Sequence, residues 1–149
     1  MNVSSEAPQL PEGFELITDK SITPEEILDV RQDPMDARAL EVWQKCIDQS
    51  LFVVGVREIN SQRLVGVGML AGNQRHAELV DGTVHPAFRQ RGIGRVILAE
   101  RITFARSEKI KYVGLTHDEN KPWLKAYYER YGFKSIGFCM WLSHSIDIN

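Results

Sequence analysis

The sequence predicts a mixed α/β domain, a central twisted sheet of about six or seven strands flanked by about four helices. Three observations predict it. Apolar runs rich in Val recur at strand length around Leu51-Phe52-Val53-Val54 and Val65-Gly66-Val67; other segments repeat apolar residues at helical spacing; and a turn carrying Gly92 and Gly94 joins a strand to a helix. The predicted order is β-α-α-β-β-β-α-β-α-β-β, one domain over residues 13–149 behind a flexible tail over residues 1–12.

Each element has a local cause. Residues up to about Pro11 are polar and broken by proline, and residues 14–18 alternate as a first strand. Thr23-Pro24-Glu25-Glu26 is a helix start, with a capping Thr, proline at the first helical position and an acid three residues after the cap. This helix ends before Asp33-Pro34. A second helix runs over about 36–48, with Leu40, Trp43 and Ile47 in register. Residues 51–58 and 63–70 form a hairpin through the polar turn Ile59-Asn60-Ser61-Gln62. After a turn at Gly72-Asn73, a strand over 76–84 leads into the glycine turn and a helix reaching Ser107, whose apolar side is Ile93, Val96, Ile97, Ile102 and Phe104. A short buried strand is expected over 112–116 and a helix over 121–131, stopped by a left-handed Gly132. Strands over 133–136 and 138–143 complete the order.

A chain of 149 residues suffices for one autonomous core without disulfides or metals. A net charge of -2 supplies no basic field, which argues against nucleic acid as a partner. Cys46 and Cys139 are the only cysteines and show no zinc-ligand spacing, so no metal is expected and a reduced, cytoplasmic setting fits. The N-terminus carries no basic start followed by an apolar stretch, and no run approaches the roughly 20 residues of a membrane helix, so neither secretion nor a membrane is expected.

The richest segment is Val84-His85-Pro86-Ala87-Phe88-Arg89-Gln90-Arg91-Gly92-Ile93-Gly94-Arg95. Glycines let an anion approach backbone N–H groups, the helix that starts there turns its positive end toward it, and three arginines add charge-assisted bonds. The spacing is neither a Walker loop nor a Rossmann fingerprint. A plain strand-to-helix turn would show the same glycine pair. Arg89-x-x-Gly92-x-Gly94 resembles the acyl-CoA loop of the GCN5-related N-acetyltransferases. The resemblance implies the GNAT fold, and that Arg89, Gln90, Arg91, Gly92, Ile93, Gly94 and Arg95 surround the pyrophosphate of acetyl-CoA, with the backbone of Thr83 and Val84 pairing the pantetheine arm.

A second segment strengthens the resemblance. Asn120 precedes a helix that ends Tyr128-Glu129-Arg130-Tyr131-Gly132-Phe133, similar to the family's asparagine and Tyr-x-x-x-Gly-Phe pattern, with one extra residue between Asn and Tyr. The resemblance puts Asn120 on the cofactor and Tyr128 near the thioester sulfur, with Tyr127 as the alternative. By itself Asn120 is equally well read as a helix N-cap, and either tyrosine as a ring buried against the sheet.

No Gly-x-Ser-x-Gly elbow is present, in keeping with direct attack of an amine on a thioester. Such a reaction needs positioning, oxyanion donors and two proton transfers. Tyr128 is the candidate acid. Asp81, beside Gly82 where the resembled family bulges its strand, is the first candidate base, and Glu78, acting through water, the second. Both equally fit a solvated strand end. His85 is read as a turn or surface residue, His117 as a weaker base candidate, and Trp43, Trp123 and Trp141 as core or pocket walls.

The similarity covers about residues 51–140, most like small bacterial and plastid amine acetyltransferases. The expected activity is acetyl transfer from acetyl-CoA to a small-molecule primary amine. A peptide acceptor on the same fold, or an acyl-CoA-binding module without catalysis, are the alternatives. The last strand offers an edge through which a homodimer could form.

Overall fold

Thr23 opens the first helix as its spacing predicts. Its Oγ1 accepts the Glu26 N–H at 3.2 Å while Glu26 Oε2 accepts the Thr23 N–H at 2.9 Å, starting α1 (Pro24–Arg31). The computed structural model describes residues 7–137, which divide into two compact units at Val113/Gly114. No helix among the described residues is long and apolar enough to cross a membrane.

The first unit supplies β1 (Phe14–Ile17), α1, α2 (Ala37–Gln49), β2 (Phe52–Glu58), β3 (Leu64–Gly72), β4 (His76–Val84) and α3 (Ile93–Ser107). With β5 (Tyr112–Gly114) the strands make a sheet in the order β1-β2-β3-β4-β5, so each strand lies beside its neighbour in sequence. The β1–β2, β2–β3 and β3–β4 pairs are antiparallel. Asp36 caps α2, its Oδ1 accepting the Ala39 N–H at 2.9 Å.

Alternation along the strands gives the sheet two apolar faces. Val53, Leu64, Val67 and Met69 pack with Ile27 and Val30 of α1 and Ile47 of α2. Val54, Val56 and Val65 pack with Ile93 and Ile97 of α3. Leu10 and Phe14 lie against this second cluster. Helix α3 sits close on the sheet because Gly66 and Gly68 face it: a Cβ at either would stand within 2.7 Å of an Ile97 methyl. Its buried side is Ile93, Val96, Ile97, Leu98, Arg101 and Ala105, while Phe104 stacks on Phe52 with centroids 4.5 Å apart.

The second unit, described over 114–137, holds α4 (Trp123–Glu129). Helix α4 starts two residues later than the sequence predicts. Proline disfavours helical backbone in the residue before it, so Lys121 stays outside and Pro122 takes the boundary. Gly132 is left-handed at φ 94, as expected. Its N–H donates to the Glu129 carbonyl at 3.0 Å and the Phe133 N–H to the Tyr128 carbonyl at 3.4 Å, the bond pair of a Schellman stop.

The sheet has five strands among the described residues instead of six or seven. No strand forms over 133–136, because the Phe133 N–H and ring are committed to closing α4, the ring lying 6.1 Å from that of Tyr128. The strand expected over 138–143, with Trp141, falls outside the described residues.

Candidate functional site

The β3–β4 ladder breaks where the sequence places its candidate base. Val80 lies opposite Met69 and Thr83 opposite Val67, so Asp81 and Gly82 together face the single residue Gly68. This is a β-bulge, which bends the strand and re-aims its side chains. Asp81 stands in the left-handed region at φ 55, a conformation that Asp tolerates better than most residues. Three residues of β5 cannot cover nine of β4. Thr83 and Val84 pair with Val67 and Gly66 on the β3 side.

The Asp81 carboxylate meets the helices α1 and α2. Arg31 Nη1 of α1 is 3.9 Å from its Oδ1, while Arg31 Nε donates to Asp33 at 2.7 Å and the guanidinium lies 5.1 Å from the centre of the Trp43 ring of α2. Cys46, one turn after Trp43, is half-buried. Burial pushes its thiol above the ordinary 9.0, and the negative charge of Asp81 pushes it further. Both effects favour the neutral thiol, and Cys46 packs against the apolar cluster beneath α1 and α2. Glu78 is exposed on β4 with His76 Nε2 at 3.9 Å.

From the other face, α3 sends a buried cation to the same bulge. Arg101 is 6% exposed. Its Nε donates to the Ile97 carbonyl at 3.3 Å, and its Nη1 to the carbonyls of Met69 and Val80, both at 3.2 Å.

The glycine loop follows directly. The His85 N–H donates to the Val65 carbonyl at 2.8 Å, and its Nδ1 accepts the Ala87 N–H at 3.1 Å, capping the single 3-10 turn Pro86–Phe88. With Nε2 3.1 Å from Arg63 Nη2 and 3.2 Å from Gln32 Nε2, His85 is a turn residue as expected, but a buried one and not a surface one. Arg89 Nε donates to the Val84 carbonyl at 3.0 Å, and Arg91 lies 5.3 Å from the Phe88 ring. Gln90 is left-handed at φ 63. Gly92 is the N-cap of α3 at φ 82, with no side chain on the first-turn amides, and an added Cβ there would meet nothing within 4 Å. The open space beside Gly92 and the exposed Arg91, Gly94 and Arg95 fit an anion that needs backbone donors and cationic side chains. Ile93 is buried, its side chain in the α3 core.

In the second unit, the Tyr128 ring lies 6.3 Å from His117 and 5.2 Å from Tyr127. Tyr127 in turn meets Trp123 and Tyr131. Asn120 is not the helix cap: its N–H donates to Asp118 Oδ1 at 2.9 Å inside a turn that precedes Pro122, so the capping alternative is withdrawn.

Sequence reasoning missed Arg31 and Arg101. An arginine amid the apolar stripe of α3 was a signal for the second, and the glycines at 68 and 82 that make room for it were another.

Comparison with known proteins follows the same lines. The family model described as Acetyltransferase (GNAT) family matches residues 16–133. A GNAT-family acetyltransferase from Streptococcus pneumoniae TIGR4 superposes with a TM-score of 0.70 at 18% identity, over 87% of this chain and 97% of that one. A Trypanosoma brucei acetyltransferase gives 0.70 at 18%, over 87% and 98%. Glucosamine-6-phosphate N-acetyltransferase from Arabidopsis thaliana gives 0.68 at 13%, over 88% and 98%. At these identities the likeness is one of fold. No curated protein matches the sequence.

Proposed function

Because the chain belongs to the GNAT acetyltransferase family and is therefore an acyltransferase, we propose that it moves the acetyl group of acetyl-CoA onto a small-molecule primary amine by direct attack in a ternary complex, residues 13–149 acting as one catalytic domain. One observation carries the reading. A bulge that turns Asp81 toward Arg31 and Trp43 is followed on the same strand by a loop whose left-handed Gly92 opens α3 toward an anion.

The roles follow from chemistry. The backbone of Thr83 and Val84 pairs with the pantetheine arm, and the first-turn amides of α3 with Arg89, Gln90, Arg91, Ile93, Gly94 and Arg95 hold the pyrophosphate. Asn120 contacts the cofactor. Asp81, or Glu78 through water, accepts the ammonium proton; the amine lone pair then attacks the thioester carbonyl carbon, the C–S bond breaks, the thiolate takes a proton from the Tyr128 phenol, and the second proton of the amide nitrogen restores that phenol. Arg31 lies over Trp43 and 3.9 Å from Asp81, beside the candidate base, and a small acceptor is our reading in preference to a peptide.

The test is a panel of amines and peptides with acetyl-CoA, followed by free thiol. Release with small amines supports the proposal, release with peptides alone corrects the acceptor, and binding of acetyl-CoA without release with any acceptor makes the protein a binding module. Tyr128→Phe is expected to cut kcat about 100-fold while leaving acetyl-CoA affinity within a few-fold. Unchanged turnover would move the acid elsewhere.

A further inference from the structure

Arg101 occupies a place on α3 where an apolar residue would be expected. Its neighbours on the buried stripe are Ile97, Leu98 and Ala105, and a buried cation is costly unless hydrogen bonds surround it. Leu or Met would fill the space without that cost, so the arginine supplies something they cannot.

The supply is visible at the bulge. Met69 and Val80 are the last directly opposed pair before β3 and β4 slip out of register, and one nitrogen of Arg101, Nη1, donates to both of their carbonyls. The guanidinium bridges the two strands where the ladder breaks. Two glycines clear its seat: a Cβ at Gly68 would stand 2.9 Å from Arg101 Cζ, and one at Gly82 2.9 Å from Nη2. Asp81 lies between the pinned Val80 and the cleared Gly82, held in a left-handed conformation its own chain does not favour.

We propose that Arg101 is a positioning residue for acyl transfer: from the α3 side of the sheet it fixes the main chain of the β4 bulge and thereby the place from which Asp81 addresses the acceptor amine. The inference rests on the catalytic reading of Asp81 given above. A displacement of about 1 Å at a reacting centre costs on the order of 100-fold in rate, so a residue that never touches substrate can govern turnover.

The experiment compares Arg101→Met, Arg101→Lys and Gly82→Ala with the wild type, using acetyl-CoA and the amine that releases thiol fastest. Arg101→Met is expected to lower kcat about 100-fold with KM for acetyl-CoA and its calorimetric affinity within a few-fold, because the loop is held by separate contacts. Arg101→Lys, which keeps the charge but not the planar fork, should recover part of that loss. Gly82→Ala keeps the arginine, displaces it, and should also depress kcat; it serves if Arg101→Met does not fold. Unchanged kcat in a folded variant, or parallel loss of kcat, cofactor affinity and thermal stability, overturns the proposal. Amide hydrogen exchange separates it from the catalytic reading: Arg101→Met should speed exchange at Asp81, Gly82 and Thr83 even if the wild type acetylates no amine, and unaltered exchange there overturns the anchoring itself.

Discussion

At Gly92 the backbone stands at φ 82 and an added Cβ would meet open space, whereas at Gly68 and Gly82 φ lies outside the left-handed range and an added Cβ would press into Arg101 or Ile97. The same residue type thus serves two ends a few residues apart in the fold. In the loop, glycine is required by a dihedral angle that L side chains avoid, and the space beside it is open. At the bulge, glycine is required by volume, and the hollow is already filled by the protein's own guanidinium. The left-handed residue at the bulge is Asp81, whose strain is held by tertiary contacts on both faces of the sheet.

Three substitutions break or sharpen this contrast, and a fourth tests a site outside it. The largest effect belongs to Asp81→Asn, which preserves shape and removes the proton acceptor; kcat should fall about 100-fold or more with little change in acetyl-CoA affinity. A minor loss would hand the base to Glu78. Gly92→Val should weaken acetyl-CoA binding by about 10-fold or more in calorimetry, since a branched side chain both strains the left-handed cap and occupies the anion's approach. Equal affinity would remove the loop from the cofactor site. Gly68→Ala should cost about 1–3 kcal/mol in denaturant unfolding through overpacking against Ile97 and Arg101, with cofactor affinity per folded molecule unaltered.

The smallest effect tests the start of α1, remote from both glycine sites. Burial pushes the Glu26 carboxyl up, but hydrogen bonds from Arg57 and Thr23 outweigh it, and the net pKa lies below the ordinary 4.5. A depressed carboxyl contributes stability above its unfolded pKa and loses it as pH falls through the folded one. Glu26→Gln should therefore cost about 1 kcal/mol near neutrality, and the gap from wild type should close as the pH drops below 4.5. A gap independent of pH would assign the loss to packing.

What was legible in the sequence follows the same division. Gly92, the Thr23 capping box, the β2–β3 hairpin and the left-handed Gly132 were all readable, because each is decided within a few residues by dihedral preference or a local hydrogen bond. Asp81 was singled out from a resemblance to bulged strands, and a bulge stands there. Arg101, Gly68 and Gly82 went unread as a group, since their association depends on how α3 lies across the sheet. Arg31 was missed likewise, because its ring partner Trp43 sits on a different helix. Asn120 as a cap and a strand over 133–136 were misread for separate reasons: Pro122 offers no N–H to a cap at Asn120 and takes the boundary itself, while the Phe133 N–H goes to the Tyr128 carbonyl.

Val53 and Val54 are adjacent in the chain yet belong to opposite apolar clusters, one beneath α1 and α2, the other beneath α3. The sheet is thereby a partition. Substitutions in the cluster beneath α1 and α2 therefore leave the cluster beneath α3, which follows the glycine loop, without a changed neighbour. From the α3 side, Arg101 ties β3 to β4 at the bulge, so a change in one compartment is felt at the strand that borders the other.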